Sequence, residues 1–358
     1  MGKQTAINAE SLIRQRVREL SAYHVEPYPC EVALDANEFP YTPTEPLAGR
    51  IKSAIEGVKL NRYPDPSAAR LKKAIAAKEG CSEANIILGN GSDEIIQALI
   101  AAICDPGDKV LVPSPTFSMY RIIAHYLNVD AVEVALNDDW TMAAEAMAQA
   151  IGREEPKIVF IASPNNPTGA LYPVETVMAV IEAARGLVVI DEAYIDFAKA
   201  PYGPLFKEYP NVAILRTLSK AGFAALRLGY MMMDEKLCAQ VEKVRLPYNI
   251  NSVTQASAQA AVEEWGALGP LFRQVVAERE RVFKELSSIK GASPFPSEAN
   301  FILTRIEKDV EEVFARLLKQ GVRVRWFKDD RRLGDCLRVT IGSAPENNRF
   351  IEAIKAAV

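Results

Sequence analysis

Ser219-Lys220 stands just behind the apolar run Val212-Ala213-Ile214-Leu215, and Arg227 follows closely. Upstream, Asp191 closes a second apolar run, Leu187-Val188-Val189-Ile190. A primary amine, a hydroxyl, a guanidinium and a carboxylate therefore fall at or after the ends of short β-branched segments. In an open α/β sheet that is the edge where ligands bind. The amine can condense with a carbonyl, the hydroxyl and guanidinium can hold a phosphate, and the carboxylate can pair with a protonated ring nitrogen.

Three further turns fall in the same kind of place. Gly89-Asn90-Gly91-Ser92-Asp93-Glu94 follows a strand and opens the helical run Ile95–Ile103. Free backbone N–H groups at such a helix start suit a phosphate. It is neither a dinucleotide GxGxxG nor a Walker A loop. Ser163-Pro164-Asn165-Asn166-Pro167-Thr168-Gly169 ends another strand and can offer the Asn166 amide, and Asp191-Glu192-Ala193-Tyr194 adds a phenol. Each piece alone is also ordinary: a capped turn, a proline turn, a solvated acid, a surface lysine. Their ordered appearance along one α/β stretch is what carries weight. Together they supply what pyridoxal phosphate needs: an amine for the aldehyde, donors for the phosphate and a carboxylate for the ring nitrogen.

The elements that must position these groups follow from periodicity. Short apolar runs predict strands at Ile86–Leu88, Val110–Val112, Ile158–Ile161, Val188–Ile190, Val212–Leu215 and Gly229–Met232. Helical segments such as Val174–Ala184 lie between them, the pattern of a mostly parallel sheet covered by helices. Beyond Arg245 a long helical stretch, Val253–Ser288, is expected to break near Gly269-Pro270. A strand at Phe301–Thr304, a helix at Val310–Lys319, strands at Val322–Trp326 and Leu337–Ile341, and a last helix from Pro345 make a smaller α+β unit. The expected division is residues 31–250 as the large domain, with 1–30 and 275–358 as the small one and 251–288 as a connecting helix. An N-terminal helix at Ala9–Leu20 is expected to pack on the small unit.

Bulk properties narrow the classes. The 358 residues are 49% hydrophobic and 25% charged, with a net charge of -4. That gives no electrostatic case for nucleic acid or an anionic membrane. No apolar run approaches the ~20 residues of a membrane span, and the first residues lack the apolar core of a signal peptide. Five scattered cysteines without a CxxC pair point to a reduced, cytoplasmic protein. Two histidines leave little scope for a metal site or a Ser/His triad; no metal is expected.

GNGSDE, SPNNPTG, DEAY, TLSKAGFAALRLGY and CLRVTIG together resemble the fold type I, class I/II aminotransferases. LDANEFP and NRYPDP resemble the histidinol-phosphate aminotransferase branch of that family. The resemblance covers nearly the whole chain. It implies a large domain with a mostly parallel sheet, a small α+β domain and pyridoxal 5'-phosphate as cofactor. Lys220 would bond the cofactor's aldehyde carbon and then shuttle a proton. Asp191 would hold the ring nitrogen protonated, while Asn166 and Tyr194 would bond the ring oxygen. Ser219, Arg227 and the backbone at Ser92 and Asp93 would hold the phosphate, and Phe117 would stack on the ring. The resemblance further implies that Tyr63 reaches the cofactor of a neighbouring subunit, making a homodimer with shared sites. Arg338 would grip the substrate anion, with Tyr23, Asn37 and Arg325 as further contacts. The implied reaction is transamination of histidinol phosphate with 2-oxoglutarate, giving glutamate. An aromatic amino-acid aminotransferase, a threonine-phosphate decarboxylase and, more distantly, a ligand-sensing domain are the alternatives. Two departures stand out: Phe117 replaces a common tyrosine, and Lys220 to Arg227 is one residue shorter than usual, a difference Gly222 is expected to absorb.

Overall fold

The structure, a computed structural model, describes residues 9–22, 30–199 and 201–358. The β-branched runs form strands because both faces of each are covered, so apolar residues are favoured at every position. Among the described residues twelve strands result: β1 Val32–Leu34, β2 Ile86–Asn90, β3 Lys109–Ser114, β4 Asp130–Ala135, β5 Ile158–Ala162, β6 Leu187–Asp191, β7 Val212–Thr217, β8 Leu228–Met232, β9 Ala292–Pro294, β10 Phe301–Ile306, β11 Val322–Trp326 and β12 Cys336–Thr340. Every residue of β5, β6 and β8 is buried.

A seven-stranded sheet runs β2-β8-β7-β6-β5-β3-β4. Only β8 is antiparallel to its neighbours; the other pairs are parallel. From β3 the chain steps outward to β4, then returns past β3 to lay down β5, β6 and β7 in the opposite direction. The strand order therefore reverses between β3 and β5, and the loops leaving β3, β5, β6 and β7 converge at one edge. The segments after those strands are Pro115–Phe117, Ser163–Gly169, Glu192–Tyr194 and Leu218–Gly222. A second, five-stranded sheet runs β1-β11-β12-β10-β9, with only the β1–β11 pair parallel.

The structure departs from the sequence reading in three places. The segment 9–22 forms a 3₁₀ turn, Ala9–Leu12, and one short helix, Gln15–Arg18. Its arginines tie it to the large unit. Arg14 donates to the Tyr126 carbonyl at 2.7 Å, and Arg16 pairs with Asp130 at 2.8 Å. The physical reason is the carbonyl-rich C-terminus of the helix Met119–Tyr126, which attracts cations. Second, β1 lies in the stretch assigned to the large domain, yet it joins the five-stranded sheet beside β11. Third, β4 and β9 fall outside the expected strands; β4 is a sheet edge with exposed acids, so it lacks the all-apolar pattern. The expected break near Gly269-Pro270 is present: the long stretch divides into Ser252–Glu263 and Gly269–Ser287, separated by the 3₁₀ turn Trp265–Leu268. Pro270 lies in the first turn of the second helix, where it needs no N–H partner.

Candidate active site

Lys220 sits in the tight turn Ser219–Phe223 directly after β7. Gly222 takes φ +99° there, and a Cβ on it would stand 3.1 Å from the Phe39 ring. The half-buried Lys220 Nζ donates to the Ala36 carbonyl at 3.2 Å and lies 5.9 Å from the Tyr194 ring centre. Burial, then the positive fields of Arg338 and Arg227, lower its pKa to about 8; Glu38 and Asp93 oppose them. The amine is thus neutral, and nucleophilic, at a far lower pH than a free lysine.

Asp191 ends β6 at 5% exposure. Its Oδ2 accepts from the Tyr120 hydroxyl at 2.6 Å and its Oδ1 from the Ala193 N–H at 3.0 Å. Burial raises its pKa to about 6, against these two donors and with Asp93 and Glu192 pushing the same way as burial. A buried carboxylate held by neutral donors gains from a cationic partner. Phe117, in the turn after β3, meets Tyr120 edge-on at 5.5 Å and 84°.

An anion cradle lies beside them. Arg227, in the left-handed region at φ +49°, donates from Nη1 to Ser219 Oγ at 3.2 Å. Its Nη2 lies 3.7 Å from Asp93. The helix Ser92–Ile103 starts at Gly91, whose φ of +83° no side chain favours. A Cβ on Gly91 would meet Arg227 Nη2 at 2.5 Å, and one on Gly229 of β8 would meet the Ser92 nitrogen at 2.6 Å. Two glycines therefore bring a guanidinium, a hydroxyl and a helix N-terminus to one spot. The short Lys220–Arg227 spacing does not prevent Arg227 from reaching it.

The five-stranded sheet supplies the opposite side. Arg338 on β12 is 8% exposed and donates to Asn166 Oδ1 at 2.5 Å and to the Asp35 carbonyl at 2.7 Å. Its guanidinium lies over Phe301 and Phe327. The Tyr194 hydroxyl accepts from Asn37 Nδ2 at 3.0 Å. Asn37 itself is buried, and its amide oxygen accepts from Thr340; its side chain thus holds Tyr194 in place. Arg325 faces Arg338 across the β11–β12 ladder but is exposed. Tyr63 is 82% exposed and stacks on Tyr248 at 4.7 Å. Tyr23 lies outside the described residues.

The residues present fit pyridoxal phosphate: a lysine of lowered pKa, an anion cradle, a buried carboxylate awaiting a cation and a flat aromatic side chain stand at one strand edge. Sequence reasoning missed Tyr120 and the ion chain behind the Asp191 turn. Arg216 bridges Glu192 at 2.7 Å and Glu79 at 2.6 Å, all three largely buried. Tyr120 lies one helical turn past Phe117, a spacing that could have flagged it.

Residues 31–354 match the family described as aminotransferase class I and II. The chain belongs to that family. It is 42% identical over 350 residues to histidinol-phosphate aminotransferase 2 of Nitrosococcus oceani, covering 96% of each chain. It is 38% identical over 347 residues to the histidinol-phosphate aminotransferase of Caldanaerobacter subterraneus, covering 97% of this chain and 98% of the other. The fold superposes on the histidinol-phosphate aminotransferase of Sinorhizobium meliloti, solved with pyridoxal 5'-phosphate, with a TM-score of 0.89 at 26% identity and 98% coverage of both chains.

Proposed function

We propose that this chain transfers the amino group of L-histidinol phosphate to 2-oxoglutarate, with pyridoxal 5'-phosphate as cofactor. The products are imidazole acetol phosphate and glutamate, a step of histidine biosynthesis. The observation that carries the reading is the convergence of Lys220, Asp191 and the Arg227–Ser219 cradle at one strand edge, with Arg338 facing them from the second sheet. When bound, the cofactor supplies an aldehyde for exchange of amines and an electron-poor ring that draws off the charge left by Cα deprotonation.

The chain's own residues do the rest. Lys220 Nζ, its pKa lowered to about 8, would hold the cofactor's aldehyde carbon and would be exchanged for an amino substrate. Once free, it takes the substrate's Cα proton and later gives it up. Asp191, buried at the end of β6, would pair with the protonated ring nitrogen. Asn166 and Tyr194 would bond the ring oxygen, and Phe117 would cover a ring face. Ser219, Arg227 and the N–H groups at Ser92 and Asp93 anchor the phosphate. Arg338 binds the substrate anion, a phosphate in one half-reaction and a carboxylate in the other; its planar fork suits both. Arg325 and Tyr23 would add further substrate contacts. Tyr63 is exposed, which suits a homodimer whose subunits complete each other's cradle. Five unpaired cysteines suit a reducing cytoplasm.

The test is the absorption spectrum of the holoenzyme before and after histidinol phosphate, with no oxo acid present. Loss of the visible band of the lysine-bound cofactor, with a rise of its amine form, is the expected result. A band indifferent to histidinol phosphate overturns the substrate assignment.

A further inference from the structure

Tyr120 belongs to the helix Met119–Tyr126 and is wholly buried, yet it carries a hydroxyl. Buried hydroxyls need partners, and this one donates to Asp191 Oδ2 at 2.6 Å. Its ring lies flat on Phe160 of β5, with centres 4.7 Å apart and planes 7° apart, so it has no room to swing. Its edge meets Phe117 at 5.5 Å. One immobilised side chain thus touches both the carboxylate assigned to the ring nitrogen and the aromatic assigned to the ring face. The other donor to Asp191, the Ala193 N–H, comes from the same turn as Asp191 and cannot set its position against β3 or β5.

We propose that Tyr120 is a positioning residue that registers Asp191 against Phe117 and so sets how tightly the chain holds pyridoxal phosphate. The inference rests on the reading that Asp191 faces the ring nitrogen. Tyr120 acts only through Asp191's geometry and through the wall it gives Phe117, so its hydroxyl matters to binding only while Asp191 is there to receive it.

The experiment is a double-mutant cycle read as the dissociation constant for pyridoxal phosphate, by fluorescence titration of apoprotein. Tyr120→Phe keeps the ring and both aromatic contacts and removes only the donor. In the unaltered background it should weaken binding about tenfold, the effect of losing a hydrogen bond to a charged group. In an Asp191→Ala background the same change should have no further effect. A loss shared by both backgrounds, as a general defect in folding gives, cancels in the cycle. If Tyr120→Phe leaves binding unaltered, or costs the same in both backgrounds, the inference fails while the site reading stands. If Asp191→Ala alone leaves binding unaltered, the reading fails and the inference with it.

Discussion

Arg338 Nη1 donates to Asn166 Oδ1 at 2.5 Å, which ties a strand of the five-stranded sheet to the turn that follows β5 of the seven-stranded one. The guanidinium is held on two aromatic faces and by the Asp35 carbonyl. Arginine's fixed fork makes this arrangement possible, and lysine cannot reproduce it. Arg338→Lys is therefore expected to raise KM at least tenfold for both histidinol phosphate and 2-oxoglutarate, by analogy with charged hydrogen bonds of about 1.5–3 kcal/mol. Steady-state kinetics with each substrate varied in turn checks this. A rise for only one substrate would show that the two anions do not share Arg338.

The lowered pKa of Lys220 has consequences in two pH windows. The neutral amine is the nucleophile, so capture of pyridoxal phosphate by apoprotein should speed up as pH rises, levelling above about 8. Stopped-flow absorbance reads that profile, and Lys220→Ala should retain the fold while capturing nothing and turning nothing over. For stability, both states are protonated below about 8, where the buried charge destabilises the fold. Between about 8 and 10.5 the unfolded chain binds more protons, so stability rises with pH. Lys220→Met apoprotein should thus melt higher than the parent at pH 7, with the gap closing as pH passes through that window.

What was legible in the sequence and what was not follow from burial. Strands such as β5, β6 and β7 are covered on both faces, so their β-branched runs announce them and their ends announce Asn166, Asp191 and Lys220. β4 carries acids toward solvent at a sheet edge, and β1 has only three residues; neither shows a pattern. The break before Gly269-Pro270 was legible because a proline is tolerated in a helix's first turn and not in its interior. Tyr120 was hidden for the opposite reason: it sits among Ile123 and Ala124 on an apolar helix face, where a phenol reads as core. Its role depends on Asp191, which is remote in sequence and adjacent only in the fold.

Gly229 and Gly91 bring the helix start and Arg227 together, and each leaves no room for a methyl group. At Gly229 the obstacle is backbone, which cannot rotate away. At Gly91 the positive φ adds strain to the contact with Arg227. Gly91→Ala should cost about 1–3 kcal/mol in urea unfolding, the usual strain for a side chain in that region. It should also weaken phosphate-dependent cofactor binding. Comparing pyridoxal phosphate with pyridoxal separates the two effects: only the phosphorylated form should lose affinity relative to the parent. Equal losses for both would place the phosphate elsewhere.

Tyr63 and Tyr248 stack against each other in the open, and Leu60 and Leu246, close to them in sequence, are exposed too. An exposed stacked tyrosine pair is apolar surface open to a partner, and a second copy of the chain is the occupant that would give Tyr63 work to do. If each subunit lends Tyr63 to the other's phosphate cradle, two defective proteins can repair one another. Tyr63→Ala lacks the lent residue, and Lys220→Ala lacks the amine. Mixing them through reversible unfolding should produce heterodimers with one intact site, formed by Tyr63 from the Lys220→Ala subunit and Lys220 from the Tyr63→Ala subunit. Activity should then rise above that of either parent protein and above their sum. If the mixture gives only the sum, Tyr63 serves no neighbouring site and the tyrosine pair is simply exposed surface.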